Sequence, residues 1–454
     1  MSAIASEPAA APPVRGMFGH PKGLYFLAAT EAWERFSYYG MTALVVLYMV
    51  NQLLLPGHIE NIAGFPAFRA TIEAVFGPMS TQALASQIFG LYSGFIYFTP
   101  VFGGIIADRW IGQRNAVVLG AILMSAGHLA MAFDQSFLIA LLLLVVGCGF
   151  LKGNIASQVG ALYAADDELN RVRGYTIFSM GINIGATLGP ILCGYLALRY
   201  GWHVGFGVAA LFIFLGLLTY LAGYKQLPAR VERKQSEARK LTAAEWRRVL
   251  IIGAVLAITI FQSVAYFQSF NTSAVWIQEH VDLQLGGFTI PVPWFTSVDP
   301  IFSISGVPLL FAFWRWQGKH GGEPSDLTKI GIGAGLAAVA NLVLVLAIAL
   351  TGGEHVSPIW PFLYYGTLGI AFLFYWPTTL ALVSRSAPAP VNATMMGLAY
   401  LTYFFTSIII GRLGGLYEPL GPSMFWLMHA AIGGGGAVAV LLFGRMLTKA
   451  LESH

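Results

Sequence analysis

Glu31-Ala32-Trp33-Glu34-Arg35-Phe36-Ser37-Tyr38-Tyr39-Gly40 puts two carboxylates, a guanidinium and two phenols into the first long apolar segment, which covers about residues 24–50. Ionisable groups in hydrocarbon cost about 3 kcal/mol or more each, so they face a bundle interior or a wet cavity. On a helix Glu31 and Glu34 are i,i+3 and Glu31 and Arg35 are i,i+4, so the three share one face. That face reads as a coupled proton and anion site. The competing reading is an ion cluster that does no more than join two helices.

Composition sets the class around this stretch. Of the 454 residues, 57% are hydrophobic and 10% charged, against about 25% charged in an ordinary soluble domain. The expected fold is an all-α integral membrane protein of about twelve spanning helices, each of roughly 20 residues. Apolar runs place them near 24–52, 84–107, 115–133, 136–163, 174–199 and 203–224, then 249–280, 291–315, 327–351, 356–385, 391–417 and 422–448. The division that follows is a tail at 1–22, a six-helix half at 23–224, a basic linker at 225–248, a second half at 249–448 and a tail at 449–454. Two similar halves joined by a polar linker fit a transporter. The linker is too short and too charged to hold an additional helix pair.

Charge orients the chain. Twelve spans put both termini on one side, and 20 of the 25 Lys and Arg fall on that side. The positive-inside rule therefore predicts cytoplasmic termini. The net charge of +4 is not clustered as a nucleic-acid surface requires. Cys148 and Cys193 lie in apolar runs and indicate neither a disulfide nor a metal site. The Ala/Pro-rich start reads as a flexible tail, with no cleavable leader expected. No G-x-S-x-G elbow, H-E-x-x-H or phosphate loop supports an enzyme.

Three basic residues remain inside predicted helices: Arg35, Lys152 and Arg412. Glu31 and Glu34 are the expected partners of Arg35 and Lys152, and Asp299 is a third acid. Arg412, near the outer end of the eleventh helix, is expected to snorkel and to be structural. Tyr38, Tyr39 and Tyr97 can line a cavity while donating hydrogen bonds. Gly181, Gly185, Gly189 and Pro190 permit close contact and bending.

Gly103-Gly104-Ile105-Ile106-Ala107-Asp108-Arg109-Trp110-Ile111-Gly112-Gln113-Arg114 resembles the G-x-x-x-D-R-x-G-R loop of the major facilitator superfamily, with a weaker echo at Trp314-Arg315-Trp316-Gln317-Gly318-Lys319. Gly104, Asp108, Arg109, Gly112 and Arg114 are its candidate gating and structural positions. The stretch 31–40 matches in full the E-x-x-E-R-F-x-Y-Y-G signature of the proton-coupled oligopeptide transporter family. Phe150-Leu151-Lys152-Gly153-Asn154-Ile155-Ala156-Ser157 resembles that family's K-P-N-x-x-S pattern, with Gly153 in place of proline. Phe178-Ser179-Met180-Gly181-Ile182-Asn183-Ile184-Gly185 is similar to its F-Y-x-x-I-N-x-G pattern, with Ser179 for tyrosine. Pro293-Trp294-Phe295-Thr296-Ser297-Val298-Asp299-Pro300 resembles W-F-Q-S-x-N-P.

The resemblance implies a monomeric proton symporter of di- and tripeptides in a bacterial-type inner membrane, with protons as coupling ion and no other cofactor. It implies proton coupling at Glu31 and Glu34, carboxylate binding at Arg35 and Lys152, and a peptide site lined by Tyr38, Tyr39, Tyr97 and Asn183. One departure stands out. The family commonly has a tenth-helix glutamate five residues before a proline, and counting back from Pro377 gives Phe372. Asp299, where the family usually has Asn, is the expected substitute: it binds the substrate amine or carries a proton. A solvent-exposed interfacial acid is the competing reading of that residue. The alternative for the whole protein is a relative that takes a modified peptide, an anionic metabolite or a drug-like compound.

Overall fold

The computed structural model describes residues 19–164, 167–228, 239–319, 322 and 324–452. Residues 1–18 of the expected N-terminal tail, 229–238 of the linker (with Arg230, Arg233 and Lys234) and 453–454 lie outside the described residues. The chain folds into fourteen α-helices among the described residues. The first group is α1 Lys22–Tyr48, α2 Phe65–Phe76, α3 Thr81–Ile106, α4 Gln113–Ala130, α5 Phe137–Ala161, α6 Glu168–Tyr200 and α7 Trp202–Gly223. The second is α8 Ala243–Phe267, α9 Thr272–His280, α10 Val298–Gly318, α11 Asp326–Thr351, α12 Ile359–Ser386, α13 Asn392–Gly414 and α14 Tyr417–Glu452. Ten of them, extended in places by a short 3-10 or π segment, are long and apolar enough to cross a membrane. Of the other two long helices, α1 carries the 31–35 charges and α4 has 18 residues.

Local chemistry explains where the elements differ from the sequence reading. The seventh apolar run breaks at Gln268–Phe270 into α8 and α9, because the buried Gln268 and Asn271 side chains find partners there and the Ser269 carbonyl accepts from Ser273 and Tyr365. The second half starts early: Thr242 caps α8 through a reciprocal capping box with Glu245, which takes Arg247 and Arg248 into the helix. Two small elements were not anticipated. Helix α2 lies between α1 and α3, where Arg69 Nε donates to Glu73 at 2.9 Å and holds that carboxyl below its usual range. The hairpin β1 Gln284–Leu285 and β2 Phe288–Thr289 turns on Gly286 and Gly287, both with positive φ.

The first helix is gripped by its neighbours. Gly181, Gly185 and Gly189 recur every fourth residue, so they form one stripe on α6. A Cβ at these positions would fall 2.5 Å from Ala28 O, 2.5 Å from Ala32 O and 2.3 Å from Phe36 O, all on α1. The other side of α1 packs on α7, where Phe36 stacks on Phe212 with centroids 3.9 Å apart. Small residues let two backbones meet where lipid supplies no hydrophobic drive. The fixed line of α1 is what sets the position of Glu31, Glu34 and Arg35.

The face of the bundle where the chain enters α1 and leaves α14 is called here the terminal face, and the opposite one the far face. Polar contacts between the halves gather toward the far face: Asn51 Nδ2 donates to Gln278 Oε1 at 2.7 Å and Ser86 Oγ to Asn271 Oδ1 at 2.8 Å. Trp294 Nε1 donates to Ile191 O at 2.9 Å and Ser297 Oγ to Thr187 O at 2.8 Å. The far face is closed.

The stripe yields a direct test. Gly185→Ala drives a methyl into Ala32 O and Phe36 N, backbone atoms that cannot rotate away. Overpacking of this kind costs about 1–3 kcal/mol, so the purified variant unfolds at a lower temperature than the parent. Gly207→Ala on α7 meets nothing within 4 Å and unfolds with the parent. Equal melting of both variants would mean that α1 is free to move off α6.

Candidate functional site

Helix periodicity delivers the three charges of α1 to one point. Arg35 Nε donates to Glu31 Oε1 at 2.9 Å and stands 2.6 Å from Glu34 Oε2. All three side chains are buried, with relative exposures of 3%, 0% and 4% for Glu31, Glu34 and Arg35. The single Nε proton is directed at Glu31, so the contact to Glu34 is one of charge alone. Both Glu34 oxygens, Glu31 Oε2 and Arg35 Nη2 have no hydrogen-bond partner among the described residues. A buried carboxylate without donors is costly, and Glu34 is the least satisfied member of the cluster.

Lys152, on α5, differs from expectation. Among the described residues no carboxylate lies within ion-pair distance of it. Its Nζ instead stands 4.3 Å from the ring centroid of Tyr97 on α3 and 6.0 Å from that of Tyr38. Arg35 takes both acids because it shares their helix, whereas Lys152 must reach across from another. Arg35 also lies over the Tyr38 ring, 5.5 Å from its centroid. Tyr38 is therefore common ground for the two cations.

Aromatic rings extend this wall into the second half. Tyr97 meets Phe267 at 6.2 Å and Tyr403 at 5.1 Å between centroids, and Tyr403 stacks on Trp376 at 4.3 Å. Half-buried Tyr39 faces Phe270 at 6.3 Å. Asn183 is not drawn into this set by any side-chain contact; its amide donates to Ser179 O, 3.0 Å away on its own helix.

Asp299 is not an interfacial acid. It is 5% exposed, at the first turn of α10, and accepts from Tyr266 Oη on α8 at 2.5 Å. Ser303 Oγ lies 3.2 Å from its other oxygen and 2.9 Å from Gly369 O on α12. Phe372, one turn further along α12, packs on Tyr266 with centroids 5.9 Å apart. Asp299 thus occupies the neighbourhood that a tenth-helix acid would face. Sequence reading missed Tyr266, Ser303 and Tyr403. Ser303 carries the one available signal, its i,i+4 spacing from Asp299.

The loop after α3 also resolves into separate roles. Gly103, not Gly104, is the close-packing glycine: its Cβ would fall 2.0 Å from Gly149 O, while Gly104 has nothing within 4 Å. Gly112 takes φ 75°, a left-handed value that its position before α4 requires. Asp108 Oδ1 accepts from Gln113 at 2.6 Å, and Arg109 is exposed. Arg114 donates to Tyr224 O at 2.9 Å and lies over the Tyr224 ring at 4.3 Å, tying α4 to the chain that leaves α7.

Comparison with known proteins agrees with this architecture. Residues 36–412 match the family model described as Major Facilitator Superfamily. The chain is 30% identical to the uncharacterized transporter YclF of Bacillus subtilis, over 97% of each chain. It is 28% identical to the peptide transporter YePEPT of Yersinia enterocolitica, over 88% of this chain and 89% of that one. A crystal structure of the peptide transporter POT in complex with sulfate superposes with a TM-score of 0.84 at 27% identity, covering 97% of this chain and 98% of that one. These relatives are transporters and not enzymes, and the run of apolar helices makes this a multi-pass membrane protein. The chain belongs to the Major Facilitator Superfamily and, within it, to the proton-coupled oligopeptide transporter family that the 31–40 signature resembles.

Proposed function

We propose that the protein is a proton-coupled symporter of di- and tripeptides that works by alternating access, with both termini on the cytoplasmic side of a bacterial-type inner membrane. What carries this reading is the unequal state of its two central cations, buried Arg35 and half-buried Lys152. Arg35 is neutralised by two acids, while Lys152 rests on aromatic faces alone. A substrate carboxylate entering the site meets Lys152 as an unsatisfied cation. It competes with Glu31 and Glu34 for Arg35.

Glu34, buried and without donors, is the group best placed to take a proton. Once neutral, it no longer competes for the Arg35 guanidinium, whose unpartnered Nη2 is then offered to the substrate while Nε stays on Glu31. Proton and peptide carboxylate thereby favour the same state of the protein, and linkage makes that coupling reciprocal. Asp299, held by Tyr266 and Ser303 in the opposite half, receives the substrate amine in place of the missing tenth-helix glutamate. A substrate with both termini then bridges the halves.

Purified protein in proteoliposomes tests the coupling. Dipeptide added outside should acidify the lumen. Lys152→Ala removes a charge-assisted contact worth about 1.5–3 kcal/mol, so half-saturation rises roughly ten- to a hundredfold. Glu34→Gln should keep peptide exchange across the membrane yet fail to concentrate peptide against a gradient. Concentrative uptake by Glu34→Gln would remove the carboxylate from the mechanism.

The amine site has its own readout. Asp299→Asn should raise the KM for dipeptides with a free amine by roughly tenfold, the loss of one charged hydrogen bond. N-acetylated dipeptides should be taken up equally by parent and variant. Unchanged uptake and unchanged pH dependence in Asp299→Asn would dismiss this role, and screening would move to acids that lack an amino group.

A further inference from the structure

Away from the central charges, the far face holds a second polar cavity of about 200 Å³. Its walls come from both halves: Ser80 and Gln87 with α3, Arg412 with α13, and Glu418 with α14. Arg412, expected to snorkel, reaches the surface beside this cavity. It is exposed at the mouth, and its side chain makes no ion pair or hydrogen bond among the described residues. Gln87, by contrast, has 0% exposure, and both its amide nitrogen and its amide oxygen lack a hydrogen-bond partner. Buried polar groups are normally satisfied, so an orphaned amide lining a cavity marks a place for a polar ligand. Glu418 accepts from Ser80 Oγ and keeps oxygen capacity to spare.

We propose that this cavity is a binding site for a small zwitterion, one free amino acid in size, that holds the far face closed. The chemistry is paired: Arg412 and the Gln87 amide N–H receive a carboxylate, and Glu418 with the Gln87 carbonyl receives an ammonium. The volume is below the roughly 300–1,000 Å³ of sites for drug-sized molecules, which matches one amino acid and leaves no room for a tripeptide. The site exists only while the halves touch here. Gly90 on α3 and Gly411 on α13 make the crossing beside it, where a Cβ on Gly90 would fall 2.6 Å from Gly411 Cα. When that crossing opens, Gln87 and Arg412 separate and the site is lost. A ligand that binds one state alone shifts the equilibrium toward it by the factor 1 + [L]/Kd.

The probe is L-alanine, added to purified full-length protein in nanodiscs with spin labels at Asn51→Cys and Gln278→Cys, a far-face pair that is in contact when closed. Cys148 and Cys193 are buried and do not compete for label. Alanine at ten times its half-saturating concentration should raise the ratio of short to long label distances about tenfold. The shift should survive Lys152→Ala, which weakens the central site, and vanish in Arg412→Gln and Gln87→Leu. Propionate and ethylamine, each with one of the two charges, should produce far smaller shifts. The proposal is overturned if alanine has no effect, if its effect persists in Arg412→Gln, if Lys152→Ala abolishes it, or if propionate matches alanine.

Discussion

A guanidinium shared by two carboxylates at the centre of an apolar helix is the constraint on which the rest of this protein turns. Desolvating three charges together is expensive, and their mutual attraction offsets it only if the geometry is held. Helix spacing brings the groups together, but the glycine stripe of α6 keeps them there. Gly185 admits the α1 backbone at Ala32 and Phe36, next to Arg35 itself. The packing between α1 and α6 and the electrostatics of the site are therefore one design.

That cluster is also incomplete. Arg35 Nε has one proton and two carboxylate neighbours, so one acid is always left with charge contact alone. A fully satisfied triad would be a lock. In the proposed coupling, a triad with an unpartnered carboxylate exchanges its cation for a proton at small cost, because the state it leaves is already imperfect. Lys152, held only by the Tyr97 and Tyr38 rings, supplies the complementary vacancy on the neighbouring helix.

Legibility in the sequence follows the distance over which each feature is determined. The charged face of α1 could be read because i,i+3 and i,i+4 neighbours are set by one helix alone. The glycine stripe was visible as residues, but not its partner, since nothing in α6 names α1. The contact of Asp299 with Tyr266 joins positions on different helices and depends on the packing of α8, α10 and α12, so Asp299 could be nominated but not placed. Lys152 was given an acid partner that it does not have among the described residues. Counting acids and bases ignores that a cation on the same helix reaches them first. The break after α8 had a signal in Gln268, Ser269 and Asn271, which an apolar average over the run conceals.

Arg412 shows the same limit at the far face. Near the end of an apolar run, a lone arginine reads as a side chain snorkelling to water, and its exposure agrees. Its meaning comes from α3, which brings the buried and unsatisfied Gln87 to the same cavity. The two residues are separated by most of the chain and belong to different halves. They meet only where Gly90 and Gly411 let α3 and α13 cross at backbone distance. A polar site built across such a crossing senses whether the halves are together, because its two walls cannot be present in any other arrangement.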